Sequence, residues 1–182
     1  KPDQQSLKAM AEELLLSTAY FPPASYFSLI ARSTKVLIER EENYHKQTWR
    51  NRCLILGPNG PLPLVIPVQR GSFHKTAIRD LRIDNARRWR DLHLRGINSA
   101  YAAAPFFEFY IDVISGVISK PHTWLLDLNS EALDAVCGAI GLNIQAGYTD
   151  HFEPEGSMEK DYRYTITPKK EFRVPGIRDI PY

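Results

Sequence analysis

Two short apolar runs near the start of the chain, joined by a proline-containing turn, constrain the fold more than any other feature. Residues 14–18 and 35–39 each have the length and composition of a buried strand. Pro22 and Pro23 cannot continue a central strand, and residues 25–32 can form a short helix. Strand, helix and strand form a βαβ unit, whose parallel strands need helices over the faces of the sheet. The chain is therefore predicted to be an α/β protein with a mostly parallel sheet.

The rest of the chain is predicted to add a β-hairpin and covering helices to this unit. Residues 52–56 and 62–68 flank the turn 57–60, which is rich in Gly and Pro, and predict a hairpin near a sheet edge. Residues 78–83 are a predicted fifth strand. Apolar residues recur at helical spacing from Trp89 to Tyr101, and residues 106–118, apolar on most sides, predict a largely buried helix. A last helix is predicted to begin near Asn129 or Ser130 and to stop at Gly141.

We expect one domain over residues 1–182, since a chain of this length buries about 70% of its unfolded surface. Residues 1–13 are expected to be an N-terminal extension. Periodicity ends at His151, and residues 151–182 contain several prolines, so this tail is predicted to be an irregular excursion that returns over the sheet. Because Lys1 has no Met before it, we expect the natural chain to begin earlier.

Composition and motifs exclude several classes of protein. The formal net charge of +2 gives no bulk electrostatic reason to bind nucleic acid, and no apolar run is long enough for a membrane span, so a cytoplasmic location is expected. The two cysteines and five histidines lack the spacing of a disulfide framework or a metal site. No GxSxG, GxxxxGK[ST] or GxGxxG motif occurs. No cofactor is indicated, and ATP use stays open.

The best candidate for a binding site is the polar segment 41–52, which follows the second predicted strand. Ligands of parallel sheets bind beyond the carboxyl ends of the strands, and this segment has no aliphatic side chain. If it is extended, one face presents cations to a phosphate or carboxylate and the other an aromatic and amide surface to a sugar. The first face holds Lys46, Thr48, Arg50 and Arg52, and the second Gln47, Trp49, Asn51 and Cys53. The alternative is a solvated charged face with Trp49 in the core.

His93 and Tyr101 are candidates for acid–base chemistry because imidazole and phenol groups can transfer protons. Both lie on the apolar stripe of the helix predicted from Trp89. The alternative for His93 is a buried imidazole that is hydrogen-bonded to its neighbours.

Three stretches of the sequence, residues 18–27, 35–39 and 43–52, resemble the WbqC-like protein family. Residues 64–68, the segment from Trp89 to Tyr101, and residues 105–108 also match, so the resemblance covers roughly residues 15–142. The positions that match the family pattern are Tyr20, Pro22, Tyr26, Lys46, Trp49, Asn51, Arg52, His93 and Tyr101. Two differences stand out: Ser33, Thr34 and Glu39 occupy positions where many members have aspartates, and members often continue beyond a segment like 179–182.

The resemblance implies a role in the synthesis of O-antigen and related bacterial surface polysaccharides. It implies an acyl or aminoacyl (glycine-type) transferase that acts on an amino or nucleotide-linked sugar. In this hypothesis Lys46 and Arg52 bind phosphate, Trp49 and Tyr20 stack on sugar or base, and Asn51 orients a hydroxyl. His93 is then the general base, and Tyr26 and Tyr101 complete the substrate site beneath the helix that begins at Trp89.

Two alternatives remain open. One is a non-catalytic component of the same pathway that binds a sugar or a partner protein. The other is an ATP-dependent amide-forming ligase, because pantoate–β-alanine ligase-type nucleotidyltransferases also open with a strand, a Pro-containing turn, a short helix and a strand. Those enzymes use a histidine pair at the first helix, whereas no histidine precedes His45 here.

Overall fold

Four parallel strands form the central sheet of the molecule. The computed structural model describes residues 13–69, 76–144, 146–169 and 172–174. The sheet order is β5-β2-β1-β6, and every neighbouring pair is parallel. In chain order the elements are β1 (Glu13–Ser17), α1 (Ala24–Ile30), β2 (Lys35–Glu39), β3 (Arg52–Gly57), β4 (Gly60–Val65), α2 (Trp89–Tyr101), α3 (Phe107–Ser119), α4 (Leu125–Ala139), β5 (Ala146–Tyr148) and β6 (Lys160–Asp161).

The predicted βαβ unit is confirmed by β1, α1 and β2. β1 and β2 pair with Leu14 opposite Val36 and Ser17 opposite Glu39. All of the residues 14–17 are buried although their side chains alternate between the two faces, which is the pattern of a sheet covered on both sides. The α/β fold with a mostly parallel sheet is therefore confirmed.

The predicted hairpin is also confirmed, but β3 and β4 form a separate two-stranded antiparallel sheet. Gly60, at φ +106°, closes the turn, a backbone conformation that favours glycine. α2 packs closely on this hairpin at Gly96, where an added Cβ would lie 3.3 Å from Cδ2 of Leu64. The absence of a side chain at Gly96 therefore allows α2 to pack close to the hairpin.

The predicted strand at 78–83 is wrong. Residues Ile78–Asp80 form a short 3-10 helix, and Arg82 and Ile83 make only isolated bridges. The buried residues explain the difference: Ile78 and Leu81 are three positions apart, as on a helix, whereas Leu81 and Ile83 are two apart, as in extended chain.

The last helix begins earlier than predicted, at Leu125, with Trp124 as its N-cap. Asn129 does not cap the helix, because it lies in the second turn of α4. Its side chain is buried and donates to the carbonyl of Arg50 at 2.8 Å. The predicted stop at Gly141 is confirmed. Gly141 has φ +75°, and the amide of Leu142 donates to the carbonyl of Cys137 at 2.8 Å, as in a Schellman motif.

The prediction that residues 106–118 are largely buried is wrong. Val117 and Ile118 are in the core, but Phe106 and Phe109 are 69% and 76% exposed. α3 packs on α2 and α4, and Phe109 and Tyr110 on its other face are exposed. The uniform apolar composition of this helix therefore reflects one buried face and one exposed aromatic face.

The tail contributes to the sheet itself. β6 pairs with β1, placing Leu15 opposite Asp161, so the predicted return of the tail takes the form of an edge strand. Most of the expected N-terminal extension and residues 175–182 lie outside the described residues. Among the residues that are described, no helix has the length and apolar character needed to cross a membrane.

Candidate functional site

A cluster of buried charged side chains lies at the carboxyl ends of β1, β2 and β6. Glu39 ends β2 and Asp161 ends β6, and Arg163 forms ion pairs with both, at 3.1 and 2.6 Å. The side chains of Glu39 and Arg163 are completely buried. Burial alone would raise the pKa of Asp161, but hydrogen bonds from Arg163 outweigh it and hold that pKa below its ordinary value.

Arg163 uses its whole guanidinium to hold this end of the sheet together. Its five hydrogen bonds go to both carboxylate oxygens of Asp161, to Glu39, and to the carbonyls of Glu153 and Pro154. A guanidinium has five N–H donors, so none remains for a ligand. Arg163 is therefore a structural link between the tail and β2.

A second buried arginine lies beside the first. Arg50 forms a two-pronged ion pair with Glu42, through Nε at 2.8 Å and Nη2 at 2.5 Å. Nη2 also donates to Oγ of Ser17, at the end of β1, at 2.7 Å. The ion pair with Glu42 uses Nε and Nη2 of Arg50 and does not involve Nη1.

A cavity of about 230 Å³ opens next to the two arginines, and we call it the basic pocket. It is lined by the turn 45–48 together with Arg50, Arg163, Tyr164, Thr167 and Lys169. Four of these lining residues are Lys or Arg, and the lining contains no Asp or Glu. The basic pocket is thus an electropositive site at the sheet edge where ligands of parallel sheets bind.

The turn on one side of the basic pocket is fixed by hydrogen bonds. Gln47 has φ +58°, in the left-handed region, and its carbonyl accepts from Nη2 of Arg52 at 2.9 Å. Oγ1 of Thr48 donates to the carbonyl of His45 at 2.9 Å. The ring of His45 faces that of Tyr164 edge-on, with ring centroids 6.4 Å apart. The imidazole of His45 therefore lies at the pocket, in an exposed position.

A model of the WbqC-like protein family matches residues 18–169. The chain belongs to the WbqC-like protein family. It is 31% identical over 154 residues to the uncharacterized protein Rv1507c of Mycobacterium tuberculosis (strain ATCC 25618 / H37Rv). That alignment covers 83% of this chain and 66% of Rv1507c, so the chain spans about two thirds of that relative's length. No solved structure matches the chain. Every residue that lines the basic pocket lies within the part that matches the family.

The structure brings three of the predicted site residues of this WbqC-like protein close to the charged cluster. Lys46 lines the basic pocket. Tyr26 and Trp49 line a neighbouring crevice of only about 10 Å³, which is too small to admit a sugar. The hydroxyl of Tyr26 donates to the carbonyl of Ser17 at 2.8 Å, and burial raises the pKa of this tyrosine.

The predicted base, His93, is a buried residue paired with Tyr20. Nε2 of His93 lies 3.2 Å from the carbonyl of Val65, which can only accept, so Nε2 carries the hydrogen and Nδ1 accepts from the hydroxyl of Tyr20 at 3.0 Å. Burial lowers the pKa of His93 to about 4. Tyr20 itself is completely buried. This geometry favours the alternative of a hydrogen-bonded core histidine, and a catalytic role for His93 stays a prediction.

Three further predicted residues lie outside the basic pocket. Asn51 is buried and donates to the carbonyl of Ile66 at 2.9 Å. Nη2 of Arg52 donates to the carbonyl of Gln47 at 2.9 Å. The hydroxyl of Tyr101 accepts from the amide of Leu56 at 3.1 Å and borders an apolar groove of about 180 Å³ between α2 and α3. Their substrate-binding roles stay predictions.

The two faces predicted for residues 46–53 required an extended segment, and residues 46–50 are not extended. Residues 46–50 form turns, and β3 begins only at Arg52. Arg50 consequently forms a buried ion pair with Glu42 and does not share an extended face with Lys46 and Arg52.

Sequence reasoning missed the pocket residues that come from the tail, which are Arg163, Tyr164, Thr167 and Lys169. No periodic pattern marks them. Glu39 offered a signal, since a carboxylate at the end of an apolar strand needs a partner when it is buried. Among the described residues, no group of three or more His, Cys, Asp or Glu side chains could hold a metal ion.

Proposed function

We propose that this protein is an acyl or aminoacyl transferase that modifies a sugar in the synthesis of bacterial surface polysaccharides. Family membership supports the pathway, because the resemblance implies that setting. The observation that carries the proposal is the basic pocket at the carboxyl ends of β1, β2 and β6. This edge is where substrates of parallel α/β sheets bind, and the pocket has cationic, hydroxyl and imidazole groups around one cavity.

The proposed reaction transfers the acyl group of an activated donor to an amine of the sugar. The amine nitrogen forms a bond to the acyl carbon, the bond from that carbon to the donor's leaving group breaks, and the amine loses one proton. A base must accept this proton, and imidazole is suited to the task near neutral pH. His45 lines the pocket and is exposed, whereas His93 is enclosed by Tyr20 and Val65. We therefore favour His45 over His93 as the base.

The experiment is a turnover assay in which the wild-type chain is incubated with nucleotide-linked amino sugars and aminoacyl or acyl donors. Product is detected by mass spectrometry as the acylated sugar. His45→Ala should lower kcat by about 10²- to 10⁴-fold and leave the melting temperature unchanged, because the side chain is exposed. Loss of activity in His93→Phe with His45→Ala fully active would reverse the assignment of the base. Absence of product from wild type with every donor would overturn the proposed transfer.

A thermal-shift panel identifies the substrate class before turnover is measured. A ligand at about 100 times its dissociation constant stabilises the folded state by about 2.7 kcal/mol, which is roughly 5–11 °C for a domain of this size. A shift with ATP and magnesium would support the amide-forming ligase. A shift with nucleotide sugars alone would support transfer to a nucleotide-linked sugar.

A second candidate function is a non-catalytic binding component of the same pathway. The exposed aromatic side chains at the start of α3, Phe106 just before the helix and Phe109 within it, favour this candidate. Large exposed apolar side chains that lie close together often mark binding surfaces. Binding of a sugar ligand without any product in the turnover assay is the result expected of this candidate.

A further inference from the structure

The basic pocket has the chemistry to bind one particular part of a substrate. Both arginines at the pocket have their charge balanced inside the protein, Arg163 by Asp161 and Glu39, and Arg50 by Glu42. Two lysines, Lys46 from the turn 45–48 and Lys169 from the tail, also line the pocket. An ammonium group has three N–H donors, so it can contact a ligand and a protein partner together. The lining contributes no carboxylate. The ligand favoured by this arrangement is an anion.

Because the guanidinium groups of both arginines are engaged within the protein, the pocket favours a phosphate over a carboxylate. Carboxylates are typically recognised by a planar, two-pronged arginine. Here the five donors of Arg163 are all used, and Nε and Nη2 of Arg50 are engaged by Glu42. Lysine ammonium groups act as point charges and are common phosphate ligands, and the hydroxyls of Thr167 and Tyr164 can add hydrogen bonds. Phosphate oxygens suit this set of donors better than a carboxylate.

The size of the cavity indicates that the anion belongs to a larger molecule. Pockets that enclose a whole small ligand have volumes of roughly 300–1,000 Å³. The basic pocket, at about 230 Å³, is smaller and opens to solvent beside the exposed residues His45 and Tyr164. A diphosphate group can occupy it while the sugar extends outside.

We propose that the basic pocket binds the diphosphate group of a sugar diphosphate ester, with Lys46 and Lys169 as its cationic ligands. This inference rests on the proposed function only in taking the pocket as the substrate site. It assigns the second cation to Lys169 rather than to Arg52, which is not a lining residue of the pocket and donates to the carbonyl of Gln47. Arg163 anchors the tail, in which Lys169 also lies, to the end of β2 through its hydrogen bond to Glu39.

The test is isothermal titration calorimetry of the intact chain with pyrophosphate, at low and high salt. Lys46→Ala and Lys169→Ala should each weaken binding about tenfold, because a charge-assisted hydrogen bond contributes about the free energy of one decade in affinity. The matched control is Lys35→Ala, which removes the same charge from an exposed lysine at the amino end of β2 and should change affinity less than about twofold. All three lysines are exposed, so unchanged melting temperatures will show that the variants are folded.

Two outcomes of this titration would overturn the proposal. One is the absence of pyrophosphate binding to the wild-type chain at low salt. The other is an equal loss of affinity in Lys35→Ala and in the two pocket variants, which would mean that binding follows net charge alone.

Two diphosphate esters distinguish the source of the ligand. UDP represents a nucleotide-linked sugar and geranyl diphosphate a lipid-linked one. Tighter binding of either ester than of pyrophosphate supports a diphosphate substrate and identifies its carrier, and equal binding of all three probes overturns the proposal of a larger ligand. Diphosphate binding without turnover would refute the transferase and leave the anion site intact, so the two failures are distinguishable.

Discussion

Replacement of Arg163 by Met tests whether the buried charged cluster holds the tail to the sheet. The substitution keeps an unbranched side chain but removes five hydrogen bonds and leaves Glu39, which is completely buried, without its cationic partner. Breaking a buried ion pair by removing one partner costs about 3–5 kcal/mol. For a domain of this size each kcal/mol lowers the melting temperature by about 2–4 °C, so we expect a fall of roughly 6–20 °C.

The assay is urea unfolding followed by circular dichroism, with calorimetry for the melting temperature. The matched control is Arg87→Met, because Arg87 is 67% exposed in its ion pair with Asp84 and should contribute less than about 1 kcal/mol. Adding Glu39→Gln to Arg163→Met should recover part of the loss, since an amide replaces the unpaired buried charge. If Arg163→Met costs no more than Arg87→Met, the reasoning about the cluster is refuted.

Asp161 should make the stability difference between wild type and Arg163→Met depend on pH. Burial acts to raise the pKa of Asp161, but Arg163 lowers it below its unfolded value. A carboxyl with a lowered folded pKa adds stability that is fully present above its unfolded pKa, near 3.8, and is lost as the pH falls through the folded value. The stability difference between wild type and Arg163→Met should therefore be largest near neutral pH and should shrink below about pH 4.

Two further predictions concern His93 and Gly116. The folded pKa of His93, about 4, lies below its ordinary 6.5, so its neutral form adds stability that is complete above pH 6.5 and is lost as the pH falls to about 4. Urea unfolding should show that, between pH 6.5 and pH 4, the free energy of unfolding falls by about 3 kcal/mol more in wild type than in His93→Phe. An equal fall in the two proteins would contradict the lowered pKa. Gly116→Ala, in α3, should raise the free energy of unfolding by up to about 1 kcal/mol, because an added Cβ meets nothing within 4 Å. A lower melting temperature in that variant would show that the space is not open.

The parts of the fold that could be predicted from sequence are those determined by residues within one short segment. The apolar runs at Leu14 and Val36, the turn before Gly60 and the helix stop at Gly141 each depend on residues close together in the chain. Because His93 lies on the apolar stripe of α2, the sequence also offered the alternative that it is a core residue, and its side chain is buried.

The candidate site was less predictable, because its parts meet only in three dimensions. Lys46 was found because it follows a strand in a polar segment. Lys169 and Arg163 lie in a tail without periodicity, and the burial of Arg163 depends on its ion pairs with Glu39 and Asp161. The turn 46–50 was misjudged because the left-handed conformation of Gln47 has no glycine or asparagine to indicate it.

The strand order has a consequence for how the chain folds during synthesis. β1 and β2 are made first and pair with each other, but both of their outer neighbours, β5 and β6, come from residues after Gln145. Until those residues leave the ribosome, both edges of the β1–β2 pair expose backbone donors and acceptors to other nascent chains. Sheets that depend on such distant pairings fold slowly. Truncation before Lys160 would therefore produce a chain that pairs with copies of itself through the open edge of β1.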